Sequence, residues 1–573
     1  MIPKAHRIIA AFILLFSFLL YLDTMAPTTS FWDCGEFIAT AYIMGVPHPP
    51  GSPLFLLVGR LFTLLPLFSD IGARVNIISP ITSALAVMFL YLVIVQLVNK
   101  WRGNVETTTD AIITYGAGAL GALTFMVTDS HWFNAVEAEV YATSTFLTAF
   151  TVWLILRWSQ FNGSPSQGIP AEKDKGKSRI YYILLLAYLF GLATGIHLLN
   201  LLTLPFVALI IYYRKWAFSW KGFLVTAGIT TVVFLVIYQG IIKGLPRLAS
   251  LMGLPGAALA VAVLVVVTVW VVGRRRKNAS IILTSMLLVV VGYSTYATIF
   301  IRSQHDPAID ENDPETIRQA VAYLEREQYG DWSMLDRARW TPGTQHRYKS
   351  VGDFFWNYQV EKMYVRYFLW QFAGRGPVGD KGVQPYGATP AEDGVKWLQF
   401  GLPLALLLGF FGLYYHMRRD WKHGLAVLAL FLATGLMIIL YLNQPDPQPR
   451  ERDYSYVGSF FAWSIWIGIG AGGLLELLSE RVKDISLKRI MLSGALGILL
   501  IIIPGVMLRA NYHQHDRTGN YVAWDYSYNL LNSCKENSVL YTNGDNDTFP
   551  LWYLQEVEGI RKDVRVINLS LLN

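Results

Sequence analysis

FWDCGEFIATAYIMGVPHPPGSP, residues 31 to 53, follows directly on the first hydrophobic segment of the chain. Asp33 and Glu36 stand three apart beside Gly35, a spacing that puts both carboxylates on one face of a helical turn. Pro47, Pro49, Pro50 and Pro53, with Gly51, surround His48 and restrict the backbone before any tertiary contact forms, so the stretch is a shaped loop rather than a passive connector. Acids held this way beside a membrane point to chemistry.

The membrane follows from composition. Of 573 residues, 53% are hydrophobic and 15% charged, with a mean hydropathy of +0.38, the profile of a polytopic membrane protein. The net charge of +7 lies in short basic clusters between apolar segments, as the positive-inside rule requires, and this argues against nucleic-acid binding. Two cysteines, Cys34 and Cys534, cannot build a disulfide framework or a metal cluster. The segment from Ile8 to Leu22 follows Lys4 and Arg7, and Thr24-Met25-Ala26-Pro27 is a poor cleavage site, so it reads as a retained signal anchor.

Charge flanks then orient the chain. The N-terminus is cytoplasmic, the first loop (23–75) is outside, and Leu54 to Phe68, with Arg60 at its centre, suits a helix lying along the outer interface. Ala111 to Val127 and Tyr141 to Leu156 form a hairpin whose outer turn carries Asp129, His131, Glu137 and Glu139. The basic loop from Gly163 to Arg179 is expected to be flexible. Ile180 to Tyr213, about 51 Å as one helix, suits two short helices turning at Gly195-Ile196-His197. Continued in this way, the reading is an all-α polytopic protein of about thirteen crossings, N-terminus inside and C-terminus outside. It divides into an N-terminal membrane module (1–301), an outer loop domain (302–396), further transmembrane helices (397–508) and an outer tail (509–573). The outer loop domain has Trp332, Trp340, Phe354, Phe355, Trp356 and Trp370 for a core, and a helical stretch from Pro314 to Gln328. In the tail, strands at Ser538–Thr542 and Val564–Leu569 flank a helix at Phe549–Val557, a partial α/β unit with Asp545-Asn546-Asp547 as a turn. The last strand has no closing elements, so more chain is expected after Asn573.

Asp33-Cys34-Gly35-Glu36 followed by Gly45-Val46-Pro47-His48-Pro49-Pro50-Gly51 resembles the signature of bacterial relatives of the animal plexin-directed O-mannosyltransferase, within the GT-C superfamily. The resemblance extends to Ala135-Val136-Glu137-Ala138-Glu139-Val140-Tyr141 and Gly191-Leu192-Ala193-Thr194-Gly195-Ile196-His197, and covers about residues 8 to 215. It implies many crossings, a catalytic acid in the first outer loop, an interfacial helix after it, and a lipid-phosphate sugar entering from the bilayer. The animal enzyme uses dolichol-phosphate mannose and protein hydroxyls.

Such a transfer needs a base for the attacking hydroxyl and positive charge for the departing phosphate. Asp33 is the expected base, with Glu36 orienting it or the acceptor; the bland alternative is a helix cap or an arginine partner. Glu137, Glu139, His48 and His197 are candidates for substrate or donor binding, since unpaired carboxylates near a crossing are costly, although either histidine could be conformational. Arg450 and Arg452 break the charge pattern by lying outside, where a guanidinium suits phosphate, the alternative being pairing with Glu451, Asp453 or lipid headgroups. No metal site or cofactor is read from the sequence.

The function expected is inverting transfer of a sugar, mannose by analogy, from a polyprenyl phosphate to Ser/Thr hydroxyls of secreted or periplasmic proteins, in a bacterial inner membrane. Alternatives are a transferase acting on glycan or lipid, a transporter, for which no internal repeat is found, and an assembly platform.

Overall fold

The computed structural model describes residues 2–160, 176–330, 347–377, 393–446, 448 and 450–571. The protein is a helical multi-pass membrane protein. Among the described residues nine helical segments are long and apolar enough to cross a bilayer, or ten if the pair Thr108–Met126 and Asp129–Ala135, bent by 69°, is one span. The count by length falls short of thirteen because the longest segments are compound. Trp220–Gly273 has 54 residues and Leu404–Leu442 has 39, about 80 and 60 Å of helix against a hydrocarbon core of about 30 Å. The first contains a residue of non-helical backbone at Gly253 (φ 72°, ψ 172°), and the second is broken at Asp420 (φ −150°, ψ 73°) and again at Gly435 (φ −120°, ψ −96°).

The expected break in the 180–213 stretch is present. Helix Gly176–Thr194 is followed by the 3-10 turn Leu198–Thr203 and helix Leu204–Lys215, with His197 extended between them. Of the loop expected from Gly163 to Arg179, residues 163–175 lie outside the described residues, as do Trp332 and Trp340, and residues 176–179 are not loop but the first turn of helix Gly176–Thr194. In the outer segment Phe354 and Trp370 are buried, but Trp356 is 63% exposed and contributes nothing to a core. Phe368 of the same segment packs onto the membrane helix Val457–Arg481, its ring 5.0 Å from that of Trp463.

The first outer loop folds as helix Cys34–Ile43, a turn through Gly45 to Ser52, and helix Pro53–Leu64. Leu61 and Leu64 of the second helix are more than 60% exposed, as an interfacial helix requires. Arg60 turns back to donate to the backbone carbonyl of Tyr42, so its guanidinium is satisfied within the loop.

Over the first of these helices lies the tail. Strands Val539–Thr542 and Arg565–Asn568 pair in parallel around helix Asp545–Glu556, the expected βαβ unit. Asp545–Asp547 is not a simple turn: Asp547 accepts from the backbone of Asn543 (2.8 Å) and Gly544 (2.9 Å) and starts the helix. The backbone of Phe549 and Pro550 rests on Gly35, where a Cβ would come within 2.7 Å of the Phe549 carbonyl. Gly35→Ala is therefore expected to cost about 1–3 kcal/mol by overpacking, read as a lower midpoint of thermal unfolding in detergent. Gly228→Ala, where a Cβ meets nothing within 4 Å, serves as the neutral control; equal midpoints for both would show that the tail does not dock there.

Candidate functional site

Asp33 occupies the N-cap position of helix Cys34–Ile43, but its side chain makes no capping bond. It turns instead to Arg450, whose Nη2 donates to Oδ2 at 3.1 Å. Both side chains are mostly buried, 15% and 12% exposed. Arg450 Nε also donates to the Tyr454 hydroxyl (3.0 Å), and Nη1 lies 3.9 Å from Glu139 Oε1. The guanidinium stands over the rings of Trp32 and Tyr454, 4.9 and 4.7 Å from their centres. A planar cation with its fork spread over several partners is the geometry arginine provides and lysine does not.

Arg452 donates from Nη1 to the same Tyr454 hydroxyl (2.7 Å) and from Nε to Gln448 (3.2 Å). The acidic neighbours that might have claimed these arginines are otherwise engaged. Glu451 accepts from Arg366 (2.6 Å) and Tyr367, and Asp453 accepts from the Ser130 hydroxyl.

Glu36 is fully buried on the same helix. Its Oε1 accepts from the His48 backbone N–H at 2.7 Å, and its Oε2 lies 2.6 Å from His48 Nδ1. The proline-rich turn thus closes on its own helix through this acid. Burial alone would lower the His48 pKa, but the charge and hydrogen bond of Glu36 outweigh it and hold the imidazole well above its ordinary 6.5. Glu311 brings a second carboxyl to this pair, and burial, then the charge of Glu36, push it well above the carboxylate range.

Glu137 and Glu139 lie at the outer end of helix Val140–Gln160, 5% and 4% exposed. Burial raises both carboxyls, and for Glu139 the next cause is Asp33. Glu139 Oε2 has no hydrogen-bond partner among the described residues. His197 accepts from Leu199 N through Nδ1 at 3.2 Å, the backbone-satisfying contact that a conformational histidine makes. Its pKa is lowered to about 4, chiefly by burial, so it is neutral. Its ring still packs against Tyr141 (5.3 Å), which in turn packs against Tyr454 (4.3 Å). Tyr141 and Tyr454 line, with Thr145, Thr148 and Leu202, a small cavity of about 20 Å³.

The structure thus brings Asp33, Glu139 and Tyr454 to Arg450, with Arg452 on the same Tyr454 hydroxyl, joins Glu36 of the Asp33 helix to His48 in the turn that follows it, and leaves His197 one ring further away. Asp129 and His131 of the same outer turn go elsewhere. Asp129 binds Arg375 (2.9 Å) and His515 (3.2 Å), and the His131 ring stacks on Phe125 at 4.2 Å. Sequence reasoning missed Trp32, Glu311, Tyr454 and Asn546. Of these only Tyr454 carried a local signal, being an aromatic two positions beyond the outer Arg452. Among the described residues no group of three or more His, Cys, Asp or Glu could hold a metal ion.

Two family models match the chain. Residues 33–220 match the one described as "Protein O-mannosyl-transferase TMEM260 N-terminal domain" and residues 523–573 the one described as "TMEM260-associated domain 2". The resemblance drawn from the motifs over about residues 8 to 215 is met by the first. A relative from Dictyostelium discoideum, "Protein O-mannosyl-transferase tmem260", is 22% identical across 99% of this chain and 58% of its own length. The Mus musculus "Protein O-mannosyl-transferase TMEM260" is 30% identical over 129 residues, 22% of this chain and 16% of the mouse protein. The chain therefore spans less than two thirds of either relative. Among solved structures, ArnT from Cupriavidus metallidurans in the apo state superimposes with a TM-score of 0.47 and 11% identity, over 100% of this chain and 90% of that one.

Proposed function

We propose that this chain is a membrane glycosyltransferase that moves mannose from a polyprenyl phosphate to Ser/Thr hydroxyls of proteins on the extracytoplasmic side. The observation that carries the reading is the Asp33–Arg450 pair at 3.1 Å. A carboxylate in the loop after the first hydrophobic segment and a guanidinium from the loop before the helix Val457–Arg481 meet across 417 positions of sequence. The match of residues 33–220 to the O-mannosyl-transferase N-terminal model, a range that includes Asp33 and Glu36, supports the reaction class.

In the proposed transfer the acceptor oxygen attacks the anomeric carbon as its bond to the phosphate oxygen breaks, an inverting in-line displacement. The acceptor's proton passes to Asp33, and the phosphate leaves carrying the negative charge that Arg450 and Arg452 stabilise. A donor phosphate that takes over Arg450 also frees the lone pairs of Asp33 for the acceptor hydroxyl, so donor binding and base activation are linked through one guanidinium. Glu36, through His48, fixes the turn that follows the Asp33 helix. Glu139 holds Arg450 from its other side, Nη1 lying 3.9 Å from its Oε1.

This assignment needs the site outside, with a cytoplasmic N-terminus and an outer tail, in a bacterial inner membrane. The test is transfer by the purified chain in lipid nanodiscs from polyprenyl-phosphate mannose to a Ser/Thr-rich peptide. Mannosylated peptide found by mass spectrometry supports the reading; donor binding without any transfer to the peptide, but with transfer to lipid or glycan, would replace it by the other acceptor class.

A further inference from the structure

The tail does more than cover the Asp33 helix. The Trp32 backbone N–H donates to Oδ1 of Asn546 at 2.7 Å, a contact across 514 positions of sequence. Trp32 stands at φ 63°, in the left-handed region that a large L side chain enters only where its surroundings hold it there. It directly precedes Asp33, and its ring is the face on which the Arg450 guanidinium rests. One amide oxygen therefore fixes the turn that aims both members of the pair. Other contacts tie the tail down without touching Trp32: the Thr28 hydroxyl donates to Tyr553 (3.1 Å), and Arg517 N donates to the Thr24 carbonyl (3.0 Å).

The geometry points to Asn546 as a positioning residue for the Asp33–Arg450 pair, acting through the left-handed turn at Trp32. The inference rests on Asp33 being the base. It gives the matched tail domain a role in the transfer itself: without its first helical turn, the outer loop loses the contact that holds Trp32.

The test uses the full chain in nanodiscs with polyprenyl-phosphate mannose and the Ser/Thr-rich peptide. Asn546→Ala is expected to lower kcat about tenfold, with KM for the donor changed by less than about twofold. Asn546→Asp keeps an acceptor oxygen in place and should return kcat to within about threefold of the unmodified chain. Tyr553→Phe removes a docking hydrogen bond elsewhere and should leave kcat unchanged. Unmodified kcat in Asn546→Ala, no recovery in Asn546→Asp, or an equal loss in Tyr553→Phe would each overturn the proposal while Asp33→Asn stays inactive. Full transfer by Asp33→Asn would instead remove the base assignment and this inference with it.

Discussion

Asp33→Asn is expected to reduce transfer by about 100- to 10,000-fold, the usual loss when a positioned base is removed, while expression and donor binding stay near normal. The substitution keeps shape and can still accept from Arg450 Nη2 through the amide oxygen, so the Trp32–Arg450–Tyr454 arrangement is retained. What it removes is the capacity to take a proton. Asp33 makes no capping bond, so helix Cys34–Ile43 loses nothing through its side chain, and a fall in rate cannot be assigned to local unfolding. Turnover and donor affinity measured on the same preparation decide the matter. Full transfer would move the base elsewhere, with Glu36 and then Glu139 next in line. Glu36→Gln gives the contrasting outcome: it weakens the hold on His48 and should impair the site through the shape of the Gly45–Ser52 turn rather than through proton transfer.

Arg450→Lys should lower donor binding or turnover by about tenfold or more, roughly 1.4 kcal/mol. The three guanidinium nitrogens are directed separately, Nη2 to Asp33, Nε to Tyr454 and Nη1 towards Glu139. A lysine ammonium keeps the charge but cannot span these directions or lie flat on Trp32. Lysine is the informative replacement because alanine would leave buried carboxylates without their cation, a loss of about 3–5 kcal/mol that would confuse folding with function. Arg452→Lys, which loses its fork between Tyr454 and Gln448, is expected to show a similar tenfold effect. Donor affinity and single-turnover rates at unmodified levels in both variants would return the arginines to a lipid-anchoring role.

How much of this was legible depended on the range of the interaction concerned. Apolar segments, their basic flanks and the break before His197 are properties of consecutive residues, because hydropathy and backbone preference act locally. The acidic loop stood out for the same reason: Asp33, Gly35 and Glu36 lie within one turn, and four prolines constrain the backbone around His48. Even here the sequence showed a shaped turn but not its fastening, the two hydrogen bonds from His48 to Glu36 twelve positions earlier.

The sequence by itself therefore determined a helical membrane protein and the residue types gathered in the polar loop after its first hydrophobic segment. It also marked Arg450 and Arg452 as exceptions to the charge pattern without saying what they touch. Only the tertiary structure decided that Arg450 meets Asp33 across 417 positions, that Glu311 shares the environment of Glu36, and that Asn546 holds Trp32. It also decided that Gly35 is small to admit the Phe549–Pro550 backbone. The physical reason is that such pairings are fixed by how helices and loops pack once formed. A periodicity records which face of a segment is apolar; it carries no record of which distant segment will cover it.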